Sequence, residues 1–269
     1  MALTRLQRDI CRLVASRRVS AGEAYLAGGA ALGELVGGNR LSRDLDIFHD
    51  TESAVQASWD ADRVDLSQHG YRVTPLRERP GFVEAVVEAH GEAVRIDWAR
   101  DSAFRFFPLV EHPELGLALH PFDLATNKVL ALIGRVEPRD WVDMILCADE
   151  VQPLGYLTWA ACGKDPGFSP LAVLAIAART ARYSDAEIDE LAFDGARPSA
   201  ADLSRRWHDH LDVARTVVAK LPADEVGRCV VDDSGRLFRG GPDSLAEALS
   251  ERRLHFHAGS IRGALPELR

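Results

Sequence analysis

The sequence predicts an α+β fold in two lobes, the first built on a mixed sheet and the second mainly helical. Most segments rich in the β-branched and aromatic residues typical of strands occur in about the first 115 residues. From Pro121 onward, apolar residues recur at helical spacing instead. We therefore assign residues 1–118 to an α+β lobe and residues 119–269 to a helical lobe that completes a cleft.

The first lobe is predicted to begin with an amphipathic helix, because Leu3, Leu6, Ile10 and Leu13 recur at helical spacing. The next stretch, EAYLAGGAALGELVGGNRLSRDLDIFHD, predicts a strand, a glycine turn, a helical run, a second glycine turn and a strand from Leu45 to Phe48. A helix over 52–68 follows. Three strands are then predicted, in YRVTPLRE, FVEAVVEAH and AVRIDWA.

In the second lobe, four segments carry a helical pattern: PFDLATNKVLALIGRV, PRDWVDMILCADE, SPLAVLAIAARTARY and SAADLSRRWHDHLDVARTVVAKL. Near the end of the chain, RCVVDDSGRLFRG predicts a hairpin that turns at Asp-Ser-Gly. LAEALSERRL predicts one more short helix. The second lobe is thus expected to be mostly α.

Composition narrows the functional classes. Hydrophobic residues at 46% and charged residues at 27% are typical of a globular protein. The net charge of −9 argues against a surface that binds nucleic acid everywhere, so a nucleic acid partner requires a local basic patch. No apolar run is long enough for a membrane span, and the N-terminal stretch lacks a signal-peptide core, so we expect a cytoplasmic protein. The four cysteines are scattered, which predicts buried, reduced thiols: Cys11, Cys147, Cys162 and Cys229.

The motif most informative about chemistry is the pair Asp44 and Asp46. Alternate residues on a strand face the same way, so these two carboxylates project together and repel each other. A Mg²⁺ ion between them would relieve that repulsion and hold triphosphate oxygens. An isolated Asp-x-Asp pair more often lies on the wet face of an edge strand. Here the apolar neighbours Leu45 and Ile47 indicate a buried face, and the upstream Gly28-Gly29 can present backbone N–H groups to an anion.

A third acid lies on another predicted strand. Asp97 stands between Ile96 and Trp98 in VRIDWA, and we expect it to be a metal ligand or the base for an attacking hydroxyl. The alternative is an ordinary exposed strand position.

Lys128 is unusual in its predicted helix. It lies four residues from both Leu124 and Leu132, so its side chain should point at the protein body, unless it extends past that flank to water. Beside a triphosphate, its ammonium would offset charge developing on the phosphoryl group. Asp140 and Asp143 lie three residues apart on the next helix; Asp140 could act as a cap, but we favour a salt bridge from one of them to Lys128 or Arg139.

Three runs in the chain resemble, in order and character, the motifs of the AbiEii-like nucleotidyltransferases, a family of the polymerase-β-like superfamily that includes toxins of bacterial toxin–antitoxin pairs. These runs are LAGGAALGELVGGNRLSRDLDIF, VRIDWA and PFDLATNKVLALIGRVEPRDWVDMI. The resemblance implies a polymerase-β-like nucleotidyltransferase lobe. It also implies a phosphate cradle at Gly28 and Gly29, a metal pair at Asp44 and Asp46, and a third acid at Asp97.

The resemblance extends to the helical lobe. Lys128 matches the lysine of the family's helical motif, and Arg139 with Asp140 and Asp143 matches its Arg-Asp followed by an acid. Ala30 departs from the pattern, because a small hydroxyl residue is common there, so one donor to phosphate is missing. Arg40 and Ser42 either contact phosphate or organise the turn before Asp44.

The candidate residues fall into three sets. The candidate catalytic residues are Asp44, Asp46, Asp97, Lys128 and Asp140. The candidate nucleotide-binding residues are Gly28, Gly29, Arg40, Ser42, Lys128, Arg139 and Asp143. The candidate Mg²⁺ ligands are Asp44, Asp46 and Asp97.

The leading hypothesis is transfer of a nucleoside monophosphate from an NTP to an acceptor, with pyrophosphate leaving. The resemblance favours the 3′ end of a tRNA as acceptor and an antitoxin as protein partner, and a local patch around the cleft could bind the tRNA: Arg95, Arg100, Arg105, Lys128, Arg135 and Arg139. A protein hydroxyl or a small molecule such as an aminoglycoside is an alternative acceptor. Two further hypotheses stay open: a catalytically silent nucleotide-binding or regulatory module, and an unrelated α+β protein whose Asp-x-Asp strand is incidental.

Overall fold

The computed structural model of the chain describes residues 3–135, 137–180 and 182–267. It contains two compact units. The first comprises Met1–Ala103 and Leu109–His120, and the second comprises Phe104–Pro108 and Pro121–Arg269. The short segment Phe104–Pro108 therefore packs with the second unit although it precedes the last strands of the first.

The elements up to His120 are, in chain order, α1 (Arg5–Ala21), β1 (Ala24–Ala27), α2 (Gly28–Val36), β2 (Asp44–His49), α3 (Glu52–Gln68), β3 (Arg72–Arg79), β4 (Phe82–Ala89), β5 (Glu92–Arg100), β6 (Phe104–Arg105), β7 (Val110–His112) and β8 (Gly116–Ala118). The predicted helix over 52–68 and the predicted strands are confirmed. The short strands β6, β7 and β8 were not predicted.

The first unit is built on one mixed sheet with the strand order β3-β4-β5-β2-β1-β8-β7. The pairs β2–β5 and β1–β8 are parallel, and the other neighbours are antiparallel. The predicted α+β class with a mixed sheet is confirmed. Its central strands, β2 and β5, carry the acidic residues singled out in the sequence.

The two faces of β2 and β5 differ in chemistry. Leu45 and Ile47 on β2, with Ile96 and Trp98 on β5, are buried on one face, where α1 and α3 contact the sheet. Trp98 packs edge-on against Trp59 of α3, with ring centroids 4.9 Å apart. Because side chains alternate along a strand, the residues between these apolar positions all point to the opposite face. That opposite face carries the acids.

Local signals fix the ends of the helices next to this sheet. Thr4 caps α1 through a capping box in which Gln7 returns a hydrogen bond to the Thr4 backbone. The helical run of α2 begins at Gly28 itself, so the predicted glycine turn is a single residue with φ of +66° that leads directly into the helix. Gly37 ends α2 in the left-handed conformation that a Cβ would disfavour.

The second unit contains, after β6, α4 (Pro121–Gly134), α5 (Pro138–Glu150), α6 (Leu154–Ala161), α7 (Pro170–Thr180), α8 (Asp185–Asp189), α9 (Ala200–Lys220), β9 (Cys229–Asp232), α10 (Pro242–Ser250), β10 (Leu254–His257) and β11 (Ser260–Ile261), with a 3₁₀ turn at Ala223–Glu225. The long helix α9 contacts α5, α6, α7 and α10, so it forms the centre of this unit. The unit is mainly helical, as predicted.

The end of the chain differs from the predicted hairpin. The Asp-Ser-Gly turn is present, with Gly235 N–H donating to the Asp232 carbonyl. The residues after it pair back only briefly, through one antiparallel bridge between Val231 and Leu237 and two backbone hydrogen bonds, from Asp232 N–H to the Arg236 carbonyl and from Phe238 N–H to the Val230 carbonyl. The strand that pairs with β9 is β10, which comes after α10, because a full antiparallel register runs from Leu254–Asp232 to His257–Cys229.

The four cysteines are free and buried, as predicted. No helix among the described residues is both long enough and apolar enough to span a membrane.

Candidate active site

A row of carboxylates crosses three adjacent strands of the first unit. Asp46 on β2 lies directly opposite Asp97 on β5, and Asp97 lies directly opposite Glu84 on β4. Directly opposed residues share a face, with Cβ atoms about 5 Å apart. The structure therefore brings the predicted acids Asp46 and Asp97 together and adds Glu84 beside them. We call Asp46, Asp97 and Glu84 the acid row.

Glu84 was missed in the sequence, although a signal for it exists. In FVEAVVEAH, the buried residues Val83, Ala85 and Val87 alternate with residues of the opposite face. That alternation places Glu84 on the same face as the acids of a neighbouring strand, provided the strands pair in this register. The sequence alone does not give the register.

Asp44 lies one position along the same face, and Arg95 neutralises it. Arg95 Nη2 donates a hydrogen bond to Asp44 Oδ2 at 2.7 Å, and Arg95 Nη1 lies 3.5 Å from Glu84 Oε1. The register pairs Asp44 directly with Arg95 across β2 and β5. Arg95 was predicted to contribute to a basic patch, but its charge is shared with two acids of this site.

Asp97 occupies an unfavourable environment for a carboxylate. Burial raises its pKa to about 6, and the nearby negative charges of Asp46, Glu84 and Asp44 add to that increase, while Arg95 opposes it. Its Oδ1 atom is buried and has no hydrogen-bond partner in the described part of the chain. An unpaired carboxylate oxygen with a raised pKa favours a bound cation or a proton.

The glycine pair lies against these acids with no room for a side chain. A Cβ added at Gly28 would lie 1.7 Å from Asp46 Oδ2, and one added at Gly29 would lie 2.5 Å from Arg40 Nη2 and 3.3 Å from Ser42 Oγ. The start of α2 thus presents bare backbone beside Asp46, and a helix N-terminus next to such backbone favours anions. The structure brings Gly28 and Gly29 together with Arg40, Ser42 and Asp46.

The turn before Asp44 is held by polar contacts. Gln7 Nε2 donates to the Ser42 carbonyl at 2.8 Å, and Ser42 Oγ donates to the Asp44 carbonyl at 3.1 Å. Arg40 Nη1 donates to the Leu41 carbonyl at 3.1 Å, and both Arg40 and Ser42 are buried. Both residues therefore organise the turn in this structure, one of the two roles left open by the sequence.

A second group of predicted residues lies in the second unit. Lys128 on α4 is buried, and its Nζ lies 2.8 Å from Asp140 Oδ1 and 3.0 Å from Asp143 Oδ2, both on α5. Arg135 donates to Asp140 from Nε at 2.7 Å and from Nη2 at 3.1 Å. The predicted salt bridge to Lys128 is confirmed, and it involves both acids.

Charge pairing outweighs burial at Asp140, which has no exposed surface. Burial alone would raise its pKa, but the hydrogen bonds from Arg135 and the charge of Lys128 lower it overall. Arg139 was the alternative partner for these acids in the sequence, and its Nε pairs with Glu137 at 2.5 Å. Asp140 and Asp143 therefore hold Lys128 in one position.

The second unit contains a buried ion pair that the sequence did not predict. Asp123 accepts hydrogen bonds from the backbone N–H groups of Phe106 and Phe107 and pairs with Lys164 Nζ at 2.8 Å. These contacts fasten the segment Phe104–Pro108 to α4. No local pattern signals them, because the partners are far apart in the chain.

Across residues 3–135, 137–180 and 182–267, no three His, Cys, Asp or Glu side chains are gathered closely enough to hold a metal ion. Asp44, Asp46 and Asp97 do share one face of two paired strands, but Asp44 is hydrogen-bonded to Arg95. The predicted basic patch is also paired with acids: Arg100 with Glu52, and Lys128 and Arg135 with Asp140.

No protein-family model and no curated protein sequence matches the chain. Solved structures do match it. MenT4, a nucleotidyltransferase toxin from Mycobacterium tuberculosis, is 17% identical with a TM-score of 0.56, over 81% of this chain and 83% of that chain. JHP933 from Helicobacter pylori is 14% identical with a TM-score of 0.52, over 81% and 95% of the two chains.

A candidate nucleotidyltransferase from H. pylori is 15% identical with a TM-score of 0.50, over 81% of this chain and 97% of that chain. At such identities the likeness shows the fold. It confirms the fold that the sequence motifs predicted.

Proposed function

We propose that this chain, which has the fold of the AbiEii-like nucleotidyltransferases of the polymerase-β-like superfamily, is a Mg²⁺-dependent nucleotidyltransferase. It transfers a nucleoside monophosphate from an NTP to an acceptor hydroxyl and releases pyrophosphate. The observation that carries this proposal is the position of Gly28 directly against Asp46, which places an anion-binding helix start beside paired carboxylates.

Two of the three proposed ligands are already placed for a divalent metal ion. Asp46 and Asp97 lie directly opposite each other on β2 and β5, and oxygen atoms are the ligands that Mg²⁺ prefers. Asp44, the third proposed ligand, is hydrogen-bonded to Arg95 and would have to turn from it to join them. The buried Oδ1 of Asp97, which accepts no hydrogen bond from the described residues, is available as an oxygen ligand. Mg²⁺ held by these three residues would clamp triphosphate oxygens and offset charge that develops during transfer.

The other residues bind and orient the nucleotide in this proposal. Backbone N–H groups at Gly28 and Gly29 bind phosphate oxygens, and Arg40 and Ser42 keep the turn before Asp44 in place. Asp97 is the proposed acceptor of the proton of the attacking hydroxyl.

In the second unit, Lys128 contacts the phosphates from the position that Asp140 and Asp143 fix. Because both acids already pair with it, its ammonium is oriented before the nucleotide binds, which reduces the entropy lost on contact. Asp140 is then a positioning residue. Arg139 and Asp143 complete the proposed nucleotide contacts.

The proposed acceptor is the 3′ end of a tRNA, and the proposed biological role is that of a toxin held in check by an antitoxin protein. MenT4 supports this proposal, because it is a nucleotidyltransferase toxin and has the same fold as this chain. Exposed arginines on the edge strand β3 of the first unit also support an RNA acceptor.

The experiment that tests the assignment of the site compares Asp46→Asn with Asp60→Asn. Asp60 is an exposed acid on α3, which packs on the opposite face of the sheet, so its variant removes the same charge away from the acid row. We expect nucleotide transfer from labelled NTP to fall at least about 1,000-fold in Asp46→Asn and to stay within about twofold of the wild type in Asp60→Asn. Equal transfer by the wild type and Asp46→Asn would contradict the assignment.

One observation favours a second candidate, a silent nucleotide-binding module. Arg95 neutralises Asp44, as a cation would, so the site is partly satisfied without a metal ion. This candidate predicts Mg²⁺-dependent NTP binding in calorimetry with no product in any acceptor fraction. Turnover in the same preparation excludes it.

A further inference from the structure

The edge strand β3 carries a line of arginines on the same face as the acid row. β3 is the outermost strand of the sheet, and all its residues except Val73 are exposed. Its register with β4 pairs Arg72 with Glu88, Arg77 with Glu84 and Arg79 with Phe82. Directly opposed residues share a face. Arg72, Arg77 and Arg79, which we call the arginine edge, therefore share the face of Glu84 and the acid row.

A bulge makes this alignment possible. The register shifts by one residue between Pro75 and Arg77, which leaves Leu76 without an opposed partner and 57% exposed. Strict alternation would place Arg72 on one face and Arg77 and Arg79 on the other. The extra residue brings all three to the same face. A prediction based only on strict alternation along the strand would place the three arginines on different faces.

Arg72 Nη2 lies 2.8 Å from Glu88 Oε1, and the paired arginines of the arginine edge are more exposed than the acids they pair with. The Arg72 and Arg77 side chains are 75% and 55% exposed, whereas Glu88 and Glu84 are 33% and 16% exposed. Arg77 Nε is 4.0 Å from Glu84 Oε2, a loose pair, and the Arg77 guanidinium stacks over the Phe82 ring. Arg79 is exposed and has no ion-pair partner in the described part of the chain. A polyanion that reaches this edge meets positive charge first.

We propose that the arginine edge docks the phosphate backbone of an RNA acceptor whose 3′ end reaches the acid row; this inference rests on the proposed function. Three strand spacings separate β3 from β2, which is about 14 Å, or about four stacked nucleotides. The chain carries a net charge of −9, so an RNA would be held by such a local line of cations and not by the surface as a whole.

The same strand disfavours the other common occupant of a sheet edge, an added protein strand. Pro75 has no N–H to donate, the bulge breaks the regular ladder, and arginines project along the edge. These three features are typical of strands protected against edge-to-edge pairing. An extended phosphate backbone needs no ladder and is compatible with all of them.

The test compares three variants of the full chain with the wild type, using fluorescein-labelled bulk tRNA and fluorescence anisotropy over a range of KCl concentrations. The first variant is Arg72→Gln/Arg77→Gln/Arg79→Gln. The second is a control with the same charge loss at exposed arginines elsewhere, Arg5→Gln/Arg63→Gln/Arg215→Gln. The third, Arg72→Lys/Arg77→Lys/Arg79→Lys, retains the charge.

The first variant is expected to bind tRNA at least about tenfold more weakly at low salt. The slope of log K against log [KCl] is negative and should become less steep by about 2, because each arginine that neutralises a phosphate of single-stranded RNA contributes about −0.7 to that slope. The control and the lysine variant should stay within about threefold of the wild type. Equal weakening of the first variant and the control overturns the proposal, as does equal weakening of the first and lysine variants. Unchanged binding by the first variant also overturns it.

A parallel titration of Mg²⁺ and NTP by calorimetry separates this inference from the proposed function. The wild type and the first variant should bind NTP alike, because none of the three arginines lies in the acid row or the glycine pair. If the wild type binds no NTP, the proposed function fails whatever the tRNA result. If NTP binds and the arginine edge has no effect on tRNA affinity, only the inference about the edge fails.

Discussion

Gly28 is required both by the backbone conformation at the start of α2 and by the close approach of Asp46. Its φ of +66° and its contact with Asp46 both require the absence of a Cβ. Gly37, at the other end of α2, also has a positive φ, but nothing lies within 4 Å of the position its Cβ would occupy. A comparison of substitutions at these two positions therefore distinguishes the energetic cost of the left-handed backbone from the cost of a steric clash with Asp46.

We predict that Gly28→Ala and Gly37→Ala each lose about 1 kcal/mol of folding free energy through the left-handed backbone, with a further loss at Gly28 from the displaced Asp46. Only Gly28→Ala should lose NTP binding, by at least about tenfold. Denaturant unfolding and calorimetric NTP titration measure the two effects. Normal NTP affinity in Gly28→Ala would contradict the assigned phosphate cradle.

Asp97 is predicted to lower the stability of the metal-free protein at neutral pH. Its pKa is about 6 in the folded protein against an ordinary value of 3.8, so the folded state binds more protons than the unfolded state between these values. Stability should therefore fall as pH rises through this window. Asp97→Asn removes that loss and should stabilise the chain near neutral pH by about 1–2 kcal/mol, allowing for partial solvent screening.

Denaturant unfolding in the presence of a chelator, at neutral pH and below about pH 4, measures this effect. The gain should disappear at the lower pH, where the carboxyl is protonated in both states. Asp60→Asn serves as the control and should change stability by no more than about 0.5 kcal/mol. A destabilised Asp97→Asn protein at neutral pH would show that the carboxylate is satisfied by the protein itself.

At the scale of single elements, the sequence predicted best where local and tertiary signals agree. Helix α3 follows a Thr51 cap and keeps an apolar face, and its observed bounds match the predicted 52–68. Helix α6 was missed because all eight of its residues are buried, which removes the polar side of the helical period. The bulge in β3 was missed because it exists only relative to β4.

Helix α6 also provides a test of packing against α9. A Cβ at Gly155 would lie 2.8 Å from Val217 Cβ and 3.1 Å from Ala214 Cα, so the two helices approach through this glycine. We predict that Gly155→Ala destabilises the chain by about 1–3 kcal/mol through overpacking, despite the higher helix propensity of alanine. Gly134→Ala, at the end of α4 with nothing within 4 Å, should be neutral or stabilising.

Thermal or denaturant unfolding of the two variants decides this point. Both substitutions add the same methyl group to a helix, so the difference between them isolates the contact with α9. Equal stability of the two variants would mean that α6 and α9 can separate at little energetic cost.

At the scale of the whole molecule, the candidate site was only partly predictable. Period two placed Asp44 and Asp46 on one face, and the strand pattern of VRIDWA added Asp97. Glu84 and Arg95 depend on which strands are neighbours and in what register, and sequence periodicity does not contain that information. The ion pair of Asp123 was not predicted for the same reason, because its partner Lys164 is 41 residues away.

The division of the chain into two units was also only partly predictable. The change from strand to helical patterns near residue 120 was visible in the sequence. The assignment of Phe104–Pro108 to the second unit depends on backbone hydrogen bonds to Asp123 and on the pairing of β6 with β11, which joins residues far apart in the chain. Such long-range contacts are fixed only by the assembled fold.

Nucleotidyl transfer is tested most directly by following the α-phosphate and the γ-phosphate of the NTP separately. The chain is incubated with Mg²⁺, bulk tRNA and NTP labelled either at the α-phosphate or at the γ-phosphate. We predict that the α label enters the RNA fraction while the γ label leaves as pyrophosphate, and that Asp46→Asn does neither. Transfer of the γ label, or release of it as inorganic phosphate without any incorporation of the α label, would contradict nucleotidyl transfer.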